Sequence, residues 1–127
     1  MAIILNHVVV HGADNVAAAR AFADVMGLRL GPPEGIDGKF ATVPVNESLK
    51  LFFVTAESTA PQHLDFEVDA ATFDAILSRL RARGIPFGND PRDPANGRTD
   101  HPFAAQGCFW HHGNGPLFEV TVGAARS

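Results

Sequence analysis

Residues 63–84, which read HLDFEVDAATFDAILSRLRARG, contain the pattern that decides the fold. Residues 63–68 alternate polar and apolar side chains, as a strand with one buried face does. From about Ala70 to Arg83 the apolar residues recur every three or four positions, which predicts an amphipathic helix. Asp69 stands where an N-cap is expected, and Gly84 stands where the helix should end. The stretch therefore predicts a strand followed directly by a helix.

The same pattern occurs earlier in the chain, at residues 3–27, which read IILNHVVVHGADNVAAARAFADVMG. A strand-like run is followed there by a predicted helix from about Asn15 to Met26, with Asp14 as its N-cap and Gly27 at its end. His7 and His63, at corresponding places in the two patterns, are 56 positions apart. A small internal repeat is the economical interpretation.

Short β-rich runs follow each predicted helix, and a further, weaker strand is expected near residues 28–30 and 86–87. The runs lie at residues 39–45 and 49–55 in the first copy, and at residues 108–111 and 117–122 in the second. We predict an α+β fold in which one domain, residues 1–127, contains two modules at about 1–57 and 61–123. The second copy is longer because of a Pro-rich stretch from Asn89 to Gln106. A loop of that length is often a lid, and the alternatives are a surface loop or a dimer contact.

Composition narrows the function classes. The chain has 127 residues, of which 46% are hydrophobic and 19% charged, as in a globular protein. A net charge of −4 argues against a nucleic-acid partner. Cys108 is the only cysteine, which excludes an internal disulfide and a multi-cysteine zinc site. Neither a signal-peptide pattern nor a membrane-length apolar run is present, so we expect a cytoplasmic protein without a membrane partner.

Strand alternation indicates where polar side chains gather. It places His63, Asp65 and Glu67 on the face of their strand away from the helix. Glu119 is an acid within the otherwise apolar run LFEVTV, and His7 begins the first strand. A carboxylate in such a strand is costly unless it is paired or binds a metal. Two imidazoles and one carboxylate suit Fe(II), and also Mn, Ni or Zn, with coordination positions left for substrate. Ordinary polar residues on strands are the alternative.

Four motifs in this order resemble the vicinal oxygen chelate superfamily, which includes glyoxalase I, extradiol dioxygenases, and fosfomycin- and bleomycin-resistance proteins. They are LNHVVV at residues 5–10, AFADVMGL at 21–28, HLDFEV at 63–68 and GPLFEV at 115–120. The resemblance covers almost the whole chain. It implies two βαβββ modules that form an open cup, with one divalent metal held by His7, His63 and Glu119.

The resemblance also narrows the expected chemistry. The fourth ligand position of the family falls at about Phe52, where glyoxalase I usually has a glutamate, so glyoxalase chemistry is not favoured. The remaining His, His, Glu set is similar to that of the extradiol dioxygenases and the fosfomycin-modifying enzymes. We therefore expect a metal-dependent enzyme that acts on a small substrate with adjacent oxygens. The alternative is a bleomycin-resistance-like protein that binds a small molecule without metal or turnover.

The remaining expectations concern residues around the proposed metal. Val9, Phe52 and Phe109 are expected to line the substrate pocket, and Phe109 stands where the family often has a tyrosine. His111 is expected either to act as an acid or base near the metal or simply to face solvent. His101, in the long loop, is expected to gate the site or to be exposed. A homodimer is expected, with the metal site either within one chain or shared between two.

Overall fold

The computed structural model describes residues 2–57, 61–113 and 115–124, and the chain divides into two compact units, residues 1–60 and 61–127. Each unit contains a strand, a helix and two further strands in the same order. The sequence repeat predicted from the spacing of the two strand–helix patterns is therefore confirmed.

The first unit is a three-stranded sheet with one helix packed on it. Its elements are β1 (His7–Gly12), α1 (Asn15–Met26), a 3₁₀ turn (Ile36–Gly38), β2 (Ala41–Pro44) and β3 (Lys50–Thr55). β3 lies between the other two strands, parallel to β1 and antiparallel to β2. The ring of Phe22 on α1 lies 5.9 Å from that of Phe53 on β3, and both are buried.

Both ends of α1 form as predicted. The Asp14 side chain accepts a hydrogen bond of 3.1 Å from the backbone N–H of Ala17, which satisfies one of the unpaired donors of the first turn. Gly27 ends the helix in the left-handed region, with φ of 73°, where a residue without Cβ is favoured.

The second unit repeats this arrangement. Its elements are β4 (His63–Glu67), α2 (Ala70–Ala82), β5 (Ala104–His111) and β6 (Leu117–Ala124). β6 lies in the centre, parallel to β4 and antiparallel to β5. Asp69 caps α2 by accepting from the N–H of Thr72 at 2.7 Å. The core contains the apolar stripe of α2 and the side chains of β5 and β6 that alternate away from the polar face, including Cys108 and Trp110.

The extra strand expected near residues 28–30 and 86–87 does not form as a continuous strand in the described residues. Isolated backbone bridges occur near these places instead, Glu34 to Phe40 in the first unit and Gly88 to Phe109 in the second. Prolines explain the interruption, because Pro32, Pro33 and Pro86 have no N–H to donate to a sheet. The helices have 12 and 13 residues, and within the described parts of the chain no helix has the length and apolarity that a membrane span requires.

Candidate functional site

Polar side chains of the second unit collect on the face of its sheet opposite α2. In the strand register Asp65 of β4, Glu119 of β6 and Phe109 of β5 lie side by side across the sheet. Because alternate residues of a strand share a face, His63 and Thr121 lie on this face as well. The alternation seen in the sequence thus places an acid and its polar neighbours together.

Glu119 is the centre of this group. Its side chain is 8% exposed, and Nε2 of His63 lies 2.7 Å from Oε1. Nε2 of His101 lies 2.6 Å from Oε2. A buried carboxylate is costly unless it is hydrogen-bonded, and here each oxygen has an imidazole partner. The structure therefore brings His63 and Glu119 together and adds His101, a third residue that the sequence analysis did not place there.

The expectation that His101 is exposed is wrong, and its expected role as a gate stays a prediction. Its side chain is only 6% exposed, and its ring stacks on Phe109 with centroids 5.7 Å apart. Room for the ring exists because residue 107 is glycine: a Cβ at that position would lie 2.6 Å from Cδ2 of His101. A glycine inside a strand often marks such a close approach, and Gly107 is the signal in the sequence that could have located this contact.

The long loop is tied by its own polar groups. Asn89 donates to the carbonyl of Asp100 at 2.8 Å, and Arg98 pairs with the Asp100 carboxylate at 2.9 Å. The hydrogen bond from Arg98 lowers the pKa of Asp100. The backbone N–H of Gly107 donates to the carbonyl of Thr99 at 3.0 Å. These contacts hold Thr99 and Asp100, the two residues directly before His101, and the His101 side chain reaches Glu119 from there.

Asp65 adds a second carboxylate to the site. It accepts from the hydroxyl of Thr121 at 3.1 Å and 3.2 Å. Burial, and then the nearby charge of Glu119, raise the pKa of Asp65 above its ordinary value of 3.8. Both causes act against a second negative charge beside Glu119.

The remaining predicted site residues lie in two other places. On the first unit's sheet, His7 and Phe52 share a face with Val9, and the rings of His7 and Phe52 stack 4.3 Å apart. Phe52 is 9% exposed, whereas His7 is exposed and its Nδ1 lies 2.9 Å from Oδ1 of Asn6. His111 is exposed at the end of β5, with Nδ1 3.3 Å from the carbonyl of Gly115.

Phe109 lies beneath the polar group of the second unit. It is 4% exposed, and its ring lies 5.6 Å from that of His63 as well as against His101. The apolar ring of Phe109 therefore lies close to the imidazole rings of both His63 and His101. His111 is on the same face of β5, two residues further along the strand.

The donors His63 and Glu119 fit a divalent ion. Two ligands of one such ion stand about 3.0–3.4 Å apart when each lies about 2.0–2.2 Å from it. Nε2 of His63 and Oε1 of Glu119 are 2.7 Å apart, so a shift of about half an ångström would open the space. Among residues 2–57, 61–113 and 115–124, no three His, Cys, Asp or Glu side chains are arranged around one metal position. The third predicted ligand, His7, belongs to the other unit.

Comparison with known proteins identifies the family. No protein-family model and no curated protein matched the sequence. The solved structure of the oxidase ChaP-H1 is 31% identical, with a TM-score of 0.82, and the match covers 99% of this chain and 98% of that one. The oxidase ChaP-H2 is 29% identical, with a TM-score of 0.89, over 100% of this chain and 98% of that one.

More distant structures share the fold alone. TnmS3, an antibiotic-binding protein from Streptomyces sp. CB03234, is 20% identical with a TM-score of 0.71, over 98% of this chain and 99% of that one. Glyoxalase and dioxygenase structures also match at lower identity. The resemblance seen in the four motifs is thereby confirmed, and the chain belongs to the vicinal oxygen chelate superfamily, with the glyoxalase/bleomycin-resistance/dioxygenase fold.

Proposed function

We propose that this protein is a metal-dependent enzyme of the oxidase or dioxygenase kind, acting on a small substrate with adjacent oxygens. The observation that carries the proposal is the pairing of His63 and Glu119 at 2.7 Å, in which the half-exposed imidazole meets a buried carboxylate. Full-length identity of 31% and 29% with two proteins described as oxidases supports an oxidative reaction. Position 52 holds phenylalanine and not the glutamate that glyoxalase I usually has there, which supports an oxidative reaction over glyoxalase chemistry.

In this proposal His63 and Glu119, together with His7, hold one ion of Fe, Mn, Ni or Zn. Such an ion, when bound, supplies Lewis acidity toward a chelating substrate and, in the dioxygenase case, binding of O₂. Phe109 of the second unit and Val9 and Phe52 of the first are the proposed apolar contacts of the substrate. Apolar surroundings would keep bulk water from the reacting atoms, which would strengthen electrostatic interactions there.

His111 is proposed to carry protons for the reaction. It lies on the same face of β5 as Phe109, and its ring is exposed to solvent. An imidazole has one nitrogen that can accept a proton and one that can donate a proton, which suits a general acid or base. Replacement with asparagine is expected to lower kcat while the metal content of the purified protein stays the same.

Metal content of the protein as purified tests the central proposal. We expect about one ion per chain by elemental analysis when Fe, Mn, Ni and Zn are all supplied during expression. His63→Ala removes one donor and is expected to abolish stoichiometric metal. His112→Ala is the matched control, because it also removes one imidazole but not one of the proposed ligands. Protein without stoichiometric metal, or equal loss in both variants, contradicts the proposal.

A binding protein that works without metal is the second candidate. Two observations favour it: the described residues show no three-donor group, and the Glu119 carboxylate already has an imidazole at each oxygen. A structure described as an antibiotic-binding protein is among the fold neighbours, which supports small-molecule binding as a role for this fold. A small-molecule-induced rise in melting temperature that persists in excess chelator and in His63→Ala would select this candidate.

A second copy of the chain is the proposed partner. The N-terminal segment exposes Ile3 (93%), Ile4 (64%) and Leu5 (64%) in succession. Contiguous exposed apolar residues of this kind favour burial against another molecule. Light scattering is expected to give twice the chain mass of 13.5 kDa, and replacement of all three residues with serine is expected to return the chain mass. A monomer at high concentration contradicts the proposal.

A further inference from the structure

We propose that His101 is a positioning residue that fixes the orientation of the Glu119 carboxylate for metal binding. The inference rests on the proposed function, in which Glu119 is a ligand. It assigns to the long loop a task beyond a lid or a plain surface connection, because the loop presents His101 to the acid.

The hydrogen-bond pattern assigns the tautomer of His101. The backbone N–H of Phe103 donates to Nδ1 at 3.0 Å, so Nδ1 offers a lone pair and has no proton. The proton of the neutral ring is therefore on Nε2, from which it is donated to Oε2 of Glu119 at 2.6 Å. Both ring nitrogens are thus engaged, and neither offers a lone pair to a metal.

The position of the His101 ring is fixed on several sides. It stacks on Phe109 with an interplanar angle of 20°. Gly107, two residues before Phe109 on the same strand, also lies against the ring, and a Cβ at that position would overlap it. A donor that is buried and packed in this way can hold an acceptor in one orientation, at little further entropic cost on binding.

The two imidazoles then divide the two oxygens of Glu119 between them. His101 engages Oε2, whereas Oε1 faces His63, the proposed ligand on the neighbouring strand. The carboxylate is thereby directed to use one oxygen toward the ion. Partners that orient a ligand in this way typically change metal affinity by about 10- to 100-fold when removed.

Zinc titration of the full-length protein and its variants tests this role. His101→Leu removes the donor and is expected to weaken Zn²⁺ binding about 10- to 100-fold in competition with a chromophoric chelator. His101→Gln places an amide N–H near the position of Nε2 and is expected to restore most of the affinity. His112→Leu is the control for loss of a histidine and is expected to bind like the parent.

A second measurement makes the role independent of folding effects. In ¹⁵N spectra of histidine-labelled protein, His101 is expected to show protonated Nε2 and unprotonated Nδ1 both before and after zinc is added, whereas the His63 signals shift. Three results would each overturn the inference. The first is equal zinc affinity in the parent and His101→Leu, and the second is failure of His101→Gln to recover affinity. The third is a change of the His101 ¹⁵N signals, on addition of zinc, to those of a metal ligand. A parent protein that binds none of Zn²⁺, Fe²⁺, Mn²⁺ and Ni²⁺ overturns the proposed function itself, and the inference falls with it.

Discussion

Replacement of Gly107 by alanine should displace His101 and uncouple it from Glu119. The added Cβ would lie 2.6 Å from Cδ2 and 2.9 Å from Cγ of the His101 ring, both closer than real contacts allow. The backbone at Gly107 does not lie in the left-handed region, so alanine is otherwise acceptable there. The ring is therefore the group that must move.

The magnitude follows from what the ring loses. Overpacking of this kind costs about 1–3 kcal/mol of unfolding free energy. Loss of the hydrogen bond to a buried charged group costs about 1.5–3 kcal/mol. The two costs are not added, because a ring that moves to relieve the overlap loses the hydrogen bond instead. In a His101→Ala background the two short ring contacts are absent and only the 3.2 Å approach to the Cβ of residue 101 remains, so Gly107→Ala should cost much less than in the parent.

Urea unfolding of the four proteins of this double-mutant cycle, in excess chelator, measures the coupling. Trp110 is the only tryptophan and is 2% exposed, so its fluorescence reports loss of the second unit's core. We expect a coupling free energy of about 1–3 kcal/mol between Gly107 and His101. Additive effects of the two substitutions would show that the His101 ring does not pack on Gly107, and the reasoning would be refuted.

Three further outcomes are expected from the structure. Because the pKa of Asp65 is raised in the folded state, the contribution of this residue to stability is lost as pH rises above 3.8. Asp65→Asn should therefore raise the melting temperature of the chelator-treated protein at neutral pH but not below pH 3.8. The same substitution should weaken Zn²⁺ binding in a chelator competition. Burial raises the pKa of Cys108 to about 12, so a thiol reagent should label it at neutral pH only after denaturation, and rapid labelling of the native protein would count against the buried position. Asp14→Ala should cost about 1 kcal/mol in urea unfolding because the N–H of Ala17 loses its cap, and an unchanged midpoint would contradict this.

The sequence predicted those parts of the fold that depend on local rules. Helical periodicity with a cap at each end located α1 and α2, and the alternation of residues 63–68 placed His63 on the face that carries Glu119. These rules work because residue spacing alone decides which side of a helix or strand a side chain faces.

His101 escaped prediction because it lies outside any regular element. Its burial depends on contacts that are distant in sequence, with Glu119 18 positions away and with the glycine at 107. Periodicity carries no information about such a residue. The weak strands failed for a different reason: proline removes the backbone donors on which their pairing would depend.

The placement of a metal tests the whole account most directly. Crystals grown with Zn²⁺ and measured at the zinc absorption edge should show one anomalous peak about 2.0–2.2 Å from Nε2 of His63 and from one oxygen of Glu119. The account predicts an imidazole of His7, from the same chain or a second copy, as the third ligand, with His101 bonded to the other carboxylate oxygen. A peak that touches neither His63 nor Glu119, or no peak at full zinc occupancy in solution, would contradict it.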